Sequence, residues 1–417
     1  MDEAVTFLDE PDDPPLLPAE APTESANGES DLYIDEDDRY GRLRLIPWWR
    51  QERLAAARVL VVGAGALGNE VLKNLALLGV GTVYVIDRDA IEPSNLSRSV
   101  LFRLADGGRP KAEVAAQRTR EINPDVVVHQ MRGDIINDVG LGLFAEVDVV
   151  IGCLDNREAR LWVNRQCWKA GTPWVDSGIQ EIQGVVKVFV PPDSPCYECA
   201  MTERDYQLLN VRYSCPLLRR DQILEGKVPT APTIASMMGA LEVQEALKLI
   251  HGMAVEAGTV LVFNGVTNQF YKTRLPFRPD CLSHETFPEP TAIPLSHDST
   301  LNALFARAGN DLKGMLTLPL ERDLVTEIHC PTCDWRVALY RLRTEVGVAE
   351  ATCPTCRTMA RPEIVSAVEQ GSPLAELPMS KLGIPPFDIL RVDGGVTSAF
   401  YRLDGDKPAE SQGWTRA

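Results

Sequence analysis

The sequence predicts an α/β protein: a doubly wound sheet, parallel in its first half and antiparallel in its extension, joined to a small α+β domain. Three observations carry this expectation. β-Branched runs alternate with helically spaced apolar residues over residues 58–170, the rhythm of a parallel sheet covered on both faces. Glycines crowd the passage from the first such run into the first helix. Paired cysteines recur at fixed spacing near the C-terminus.

The folded part is expected to begin near Arg39. Residues 1–38 carry fourteen Asp or Glu, no Lys or Arg, and Pro11, Pro14, Pro15, Pro18 and Pro22, a composition that predicts a disordered acidic tail. Such a tail either aids solubility or docks a basic partner. It also accounts for the formal charge of −17, because the remaining body holds 45 acidic against 42 basic residues. No basic stripe is visible, which argues against nucleic-acid binding. No apolar run reaches the length of a membrane span, and the N-terminus lacks the basic-then-apolar pattern of a signal peptide. A cytoplasmic protein is expected.

Residues 58–63 (RVLVVG) read as a buried parallel strand and 69–78 (NEVLKNLALL) as the helix after it. Strand 82–87 (TVYVID), helix 111–122, strand 125–131, strand 147–153 (VDVVIGC) and helix 157–170 follow. Residues 184–190 (GVVKVFV) open the antiparallel part, and a long helix over roughly 232–250 closes a first domain expected to span 39–285. A proline-rich linker is expected over 286–300 and a second domain over 301–403. Within that domain, 383–403 read as a strand pair. The polar residues 404–417 form a tail.

The glycine turn is GAGALG, with Gly63, Gly65 and Gly68 between a strand and a helix. Glycines there allow a tight turn and close approach of a phosphate to backbone, while the helix N-terminus presents free N–H groups. Asp87 ends the next strand, nineteen residues past Gly68, where a carboxylate can bind ribose hydroxyls. This much suits an NAD enzyme as well as an ATP enzyme. The following residues discriminate: DRDAIEPSNLSR (87–98) and RPK (109–111). Arg98 offers a planar fork to phosphate oxygens, Lys111 a point charge and Asn95 an amide. Asp155, in CLDN (153–156), follows a strand and is placed to hold magnesium. A dehydrogenase has no use for that cation pair, whereas an enzyme stabilising charge on a triphosphate does.

The order RYGR (39–42), GAGALG, DRD, SNLSR, GRPKAE, INP (122–124), CLDN and a later C-x-x-C resembles the ubiquitin-activating superfamily, which includes the adenylyltransferases of molybdopterin and thiamine biosynthesis. The resemblance covers roughly residues 39–285. It implies a Rossmann-like adenylation domain that uses ATP and magnesium to adenylate a β-grasp protein ending in Gly-Gly, a ubiquitin-like or sulfur-carrier protein. It further implies Asp87, with Asp89 of the same DRD, for nucleotide, Asn95, Arg98 and Lys111 for phosphates, and Asp155 for magnesium. Arg42 matches an arginine that acts in the partner subunit's site, which implies a homodimer. Ser99 departs from the glutamine usual at that position.

Ten cysteines in a cytosolic chain point to metal rather than disulfides, since six of them form three C-x-x-C pairs. Cys196 and Cys199 (PCYEC) offer two thiolates, and Cys281-x-x-His284 (CLSH) completes a zinc set of three cysteines and one histidine. The resemblance places a second pair just there, normally as two cysteines. Cys330, Cys333, Cys353 and Cys356 form CPTC-x19-CPTC, a zinc-ribbon pattern expected to staple a domain with little core of its own. Two zinc ions are therefore expected. Cys153 and Cys167 read as buried packing residues. Cys215 stands in a polar loop flanked by Arg212, Arg219 and Arg220, and cations lower a thiol's pKa. It is the candidate nucleophile for a thioester passed to a conjugating enzyme. Two alternatives stay open: sulfur-carrier activation without a thioester, and a catalytically weak scaffold that binds a ubiquitin-like protein.

Overall fold

The computed structural model describes residues 37–206 and 229–407. A short helix, α1 (Gln51–Ala56), leads into β1 (Arg58–Val62), and α2 (Ala66–Leu78) follows the glycine turn. Then come β2 (Thr82–Asp87), α3 (Lys111–Ile122), β3 (Val127–Arg132), α4 (Leu141–Glu146), β4 (Val149–Gly152), α5 (Arg157–Ala170) and β5 (Trp174–Gln180). β6 (Gln183–Phe189) turns back antiparallel. The long helix α6 (Pro232–His251) precedes β7 (Thr259–Asn264) and β8 (Gln269–Arg274).

These strands form one eight-stranded sheet in the order β3-β2-β1-β4-β5-β6-β7-β8. β1 to β5 pair parallel, and β5 to β8 pair antiparallel. The strand order reverses between β1 and β4, the switch point at which open α/β sheets bind ligands. Alternation along β1 explains the double winding. Val59 and Val61 join one buried core with Val71 and Leu75 of α2 and Met238 of α6. Leu60 and Val62 join another with Phe144 and Trp168. α6 approaches α2 closely because Gly239 carries no side chain; a β-carbon there would sit 2.8 Å from that of Glu70.

A second, six-stranded sheet follows. It contains β9 (Thr291–Ile293), β10 (Leu316–His329), β11 (Arg336–Leu342), β12 (Arg361–Glu369), β13 (Ile389–Gly394) and β14 (Thr397–Leu403), with the helix α7 (Leu301–Ala308) against it. Its order is β11-β10-β13-β14-β9, with β12 on the other edge of β10. β13 and β14 are the hairpin expected over 383–403. Two differences from the sequence reading stand out. The proline-rich 286–300 holds β9, which pairs parallel with β14. The second unit also has a core of its own, in which Leu304, Phe305, Leu316, Val392 and Tyr401 pack, so it is more than a metal-stapled ribbon.

The two units meet at residues 136–142. Arg322 leaves β10 to donate to the carbonyls of Ile136 and Val139, and its guanidinium lies 4.5 Å from the centre of the Trp162 ring. Beside it, buried Asp388 accepts the Leu141 N–H at 2.7 Å. Gly140 and Gly142 lack side chains where the second unit's backbone passes: β-carbons there would lie 2.5 Å from the Pro386 carbonyl oxygen and 2.3 Å from that of Phe387.

Candidate functional site

The glycine turn sits at the switch point and divides its labour among three glycines. Gly63 adopts φ +100°, a left-handed conformation open to glycine, and a β-carbon there would strike the Cys153 carbonyl. Gly68 lies where a β-carbon would meet the Gly63 carbonyl oxygen at 2.0 Å, so it allows the helix to pack on the strand. Gly65 is the opposite case. Nothing lies within 4 Å of its missing side chain, which leaves open space at the N-terminus of α2, a cradle that suits a phosphate.

Asp87 closes this turn from β2. Its carboxylate accepts the Ala64 N–H at 2.7 Å and the Asp89 N–H at 2.8 Å. Burial pushes its pKa up, against the pull of Lys111 and these two N–H groups. Lys111 is the first residue of α3, and its Nζ lies 2.9 Å from Asp89. The RPK segment places it there: Gly108 and Lys111 donate to the carbonyls of Ile91 and Asp89, zipping 108–111 onto 89–91. Asp87, Asp89, Lys111 and the glycine turn thus form one cluster. Asn95 and Arg98 lie on an adjoining arm; Asn95 caps its turn through the Glu92 N–H, and Arg98 donates to the Ser94 carbonyl. Ser99 on this arm is buried.

Asp155 is exposed beyond the end of β4, one residue before Asn156, which caps α5. Arg160 holds this corner, although the sequence reading missed it. It donates to the Leu154 and Ser177 carbonyls and pairs at 2.8 Å with fully buried Asp176. Asn69 was missed as well. Both are polar residues within helical patterns, and their only signal is position: directly after the glycine motif, and five residues after Asp155. Arg42 is exposed, and no contact ties it to the cluster among the described residues. Tyr40, two residues earlier, packs on Gly79 at the far end of α2, about 20 Å along a 13-residue helix from the turn. Cys215 lies outside the described residues.

Both metal candidates assemble. Cys196 Sγ lies 3.7 Å from Cys199 Sγ and 3.6 Å from Cys281 Sγ, and Cys199 Sγ lies 3.4 Å from His284 Nε2. In the second cluster, Cys330–Cys356 and Cys333–Cys353 are 3.4 and 3.5 Å apart. Tetrahedral zinc, with bonds of about 2.3 Å to sulfur, requires ligand separations near 3.8 Å, and both sets fit it. The imidazole of His284 is clamped between Trp168 and Phe277, ring centres 5.3 and 5.2 Å away. Beneath the first cluster, Glu198 accepts from Ser283, from Arg165 at 2.9 Å and from Tyr206 at 2.9 Å. Cys153 and Cys167 are buried, and burial raises both thiol pKa values, as suits inert packing residues.

Comparison with known proteins bears on this geometry. A family model described as ThiF family matches residues 38–283. The chain is 34% identical over 274 residues to the adenylyltransferase and sulfurtransferase MOCS3 of Mus musculus, a match covering 64% of this chain and 55% of that protein. It is 33% identical over 239 residues to the SAMP-activating enzyme E1 of Haloferax volcanii, covering 55% of this chain and 81% of the other. Among solved structures, Escherichia coli MccB with ATP superposes with a TM-score of 0.50 at 25% identity, covering 60% of this chain and 75% of that one.

Proposed function

The chain belongs to the ThiF family, and from that premise we propose that it uses ATP to adenylate the C-terminal carboxylate of a small ubiquitin-like or sulfur-carrier protein ending in Gly-Gly. The observation that carries this reading is Lys111, held by Asp89 at the head of α3 beside Asp87 and the open glycine turn. A carboxylate oxygen of the carrier attacks the α-phosphorus, the bond to the bridging oxygen breaks, and pyrophosphate leaves. Asp87 and Asp89 orient the ribose end, the turn at Gly63, Gly65 and Gly68 accommodates phosphate, and Asn95, Arg98 and Lys111 offset its growing charge. Magnesium, held by Asp155, would add further charge there. The relatives' names as adenylyltransferase and activating enzyme support this reading.

The test is carrier-dependent ATP–pyrophosphate exchange. Replacing Arg98 or Lys111 with alanine removes a charge aimed at the transition state and lowers exchange on the order of 10²–10³-fold. Wild-type exchange in either variant would sink the assignment.

Three finer points belong to the same reading. Arg42 lies two residues from Tyr40, which packs at the end of α2 remote from the glycine turn, and this supports a homodimer in which Arg42 serves the partner's site; mixing inactive Arg42→Ala and Asp155→Ala chains then restores part of the activity. Each chain holds two structural zinc ions, one per cluster. Cys215 accepts the acyl group as a thioester for a conjugating enzyme, by virtue of the arginines that flank it in sequence. Intact mass after reaction without reductant shows a thiol-labile adduct that Cys215→Ala loses while keeping exchange. The second reading, sulfur-carrier activation, is favoured by a relative named as a sulfurtransferase; exchange with no adduct in wild type selects it.

A further inference from the structure

We propose that Asn69 is a positioning residue that turns the peptide N–H groups of the glycine turn toward the phosphate cradle and couples that turn to the arm bearing Arg98. The inference rests on the adenylation reading above and assigns a role to a side chain outside it. Asn69 is the fourth residue of α2 and is fully buried. Asparagine is a poor helix former, and a buried amide is tolerated only when its hydrogen bonds are made. Here they are. Nδ2 donates to the Ala64 carbonyl at 2.8 Å and to the Gly65 carbonyl at 2.9 Å, and Oδ1 accepts the Leu101 N–H at 2.9 Å. Both donor hydrogens and one acceptor lone pair are in use.

Peptide geometry gives this grip a direction. In a trans peptide the C=O and the N–H point to opposite sides. Holding the Ala64 and Gly65 carbonyls toward Asn69 therefore points the N–H groups of Gly65 and Ala66 away from it. Gly65 borders open space. One amide thus holds the Ala64 carbonyl away from an incoming phosphate, reinforces the backbone N–H of Asn69 that holds the Gly65 carbonyl at 3.0 Å, and leaves two donors facing the phosphate. The third bond reaches across the fold. Leu101 is three residues beyond Arg98, and its side chain is anchored in the core. Between them the arm is a run of turns, with Arg98 donating its N–H to the Asn95 carbonyl and Phe102 to that of Ser99. Fixing the Leu101 end limits where Arg98 can stand relative to the turn.

A double-mutant cycle tests this, read by calorimetry with a non-hydrolysable ATP analogue and by exchange. Asn69→Ala weakens analogue binding about tenfold or more in the otherwise native chain, because the Ala64 carbonyl and the Leu101 N–H lose their partner and the Gly65 carbonyl keeps only the backbone N–H of residue 69. In the Arg98→Ala background the same change costs at least about threefold less, since part of its effect acts through Arg98. Asn69→Asp keeps an acceptor for Leu101 but has no donors, so it also weakens analogue binding. Asn69→Ser, small enough to fold and able to reach one carbonyl, falls between alanine and wild type. Equal losses in both Arg98 backgrounds would show that Asn69 acts independently of Arg98 and would overturn the coupling. Native affinity in Asn69→Ala would overturn the role altogether. The binding arm needs no carrier, so a wild type that binds the analogue but exchanges nothing condemns the adenylation reading and leaves Asn69 under test. A wild type that does not bind the analogue ends both.

Discussion

The two metal clusters both contain C-x-x-C pairs but differ in how deeply they are set: three of four ligands are buried in the first and two of four in the second. In the first, Cys196, Cys199 and Cys281 are part of the apolar core that also holds Leu60, Val62, Phe144 and Trp168, and His284 is stacked between two aromatic rings. In the second, Cys356 is exposed and Cys333 half-buried at the tips of the β10–β11 and β12 region. Only a small cluster of five buried residues, Val325, Ile328, Val346, Ala351 and Ala360, lies beneath it. Spacing therefore identifies a metal site without revealing its weight in the fold. The first cluster ties residues on both sides of α6 into the sheet that carries the nucleotide site. The second ties together the outer end of the smaller sheet, whose main core lies elsewhere.

The largest expected effect follows directly. Cys281→Ser opens the first cluster, and structural zinc contributes on the order of 10 kcal/mol in small metal domains, comparable to the whole stability of a domain, about 5–15 kcal/mol. The first unit should then fail to fold and exchange should vanish. Cys330→Ser should lose one zinc of two and retain most exchange. Metal analysis with thermal unfolding decides between them, and equal damage from both would erase the contrast. An intermediate effect comes from Arg322→Ala. It leaves Asp388 buried with its nearest cation gone, and breaking a buried pair typically costs about 3–5 kcal/mol. Chemical denaturation should show that loss; a change below about 1 kcal/mol would mean that the units do not lean on this contact. The smallest effect belongs to His284→Cys. Four ligands remain and zinc content stays at two per chain, while the lost stacking on Trp168 and Phe277 costs about 1 kcal/mol. Loss of a zinc here would show that the aromatic clamp, rather than ligand chemistry, defines the site.

What was legible in the sequence was whatever depends on local pattern. β1, β2, α3 and α5 appear within a few residues of their expected bounds, because β-branched runs and helical spacing act over short distances. Both ligand sets were legible because thiolate geometry demands the spacing. β9 was not: three residues, Thr291–Ile293, in a proline-rich stretch become a strand only because β14 lies beside them. β7 and β8, past the helix expected to close the first domain, likewise owe their place to pairing, β7 with β6 and β8 with β7. Asn69 and Arg160 were invisible for the same reason. Each grips a nearby carbonyl and also a partner 32 or 16 residues distant, and it is the distant partner that no local pattern announces.

Gly140 and Gly142 have a consequence for how the chain is made. They form a contact by omission, a strip of bare backbone shaped to receive Pro386 and Phe387. When residue 285 leaves the ribosome the first unit has all eight strands and the four ligands of its own cluster, yet the strip is still uncovered. Another hundred or so residues must emerge before its cover exists, on the order of 5–20 s at ordinary synthesis rates. For that interval the newborn first unit exposes backbone that the finished molecule hides, and this is the period in which a chaperone, or a second nascent copy, would find it.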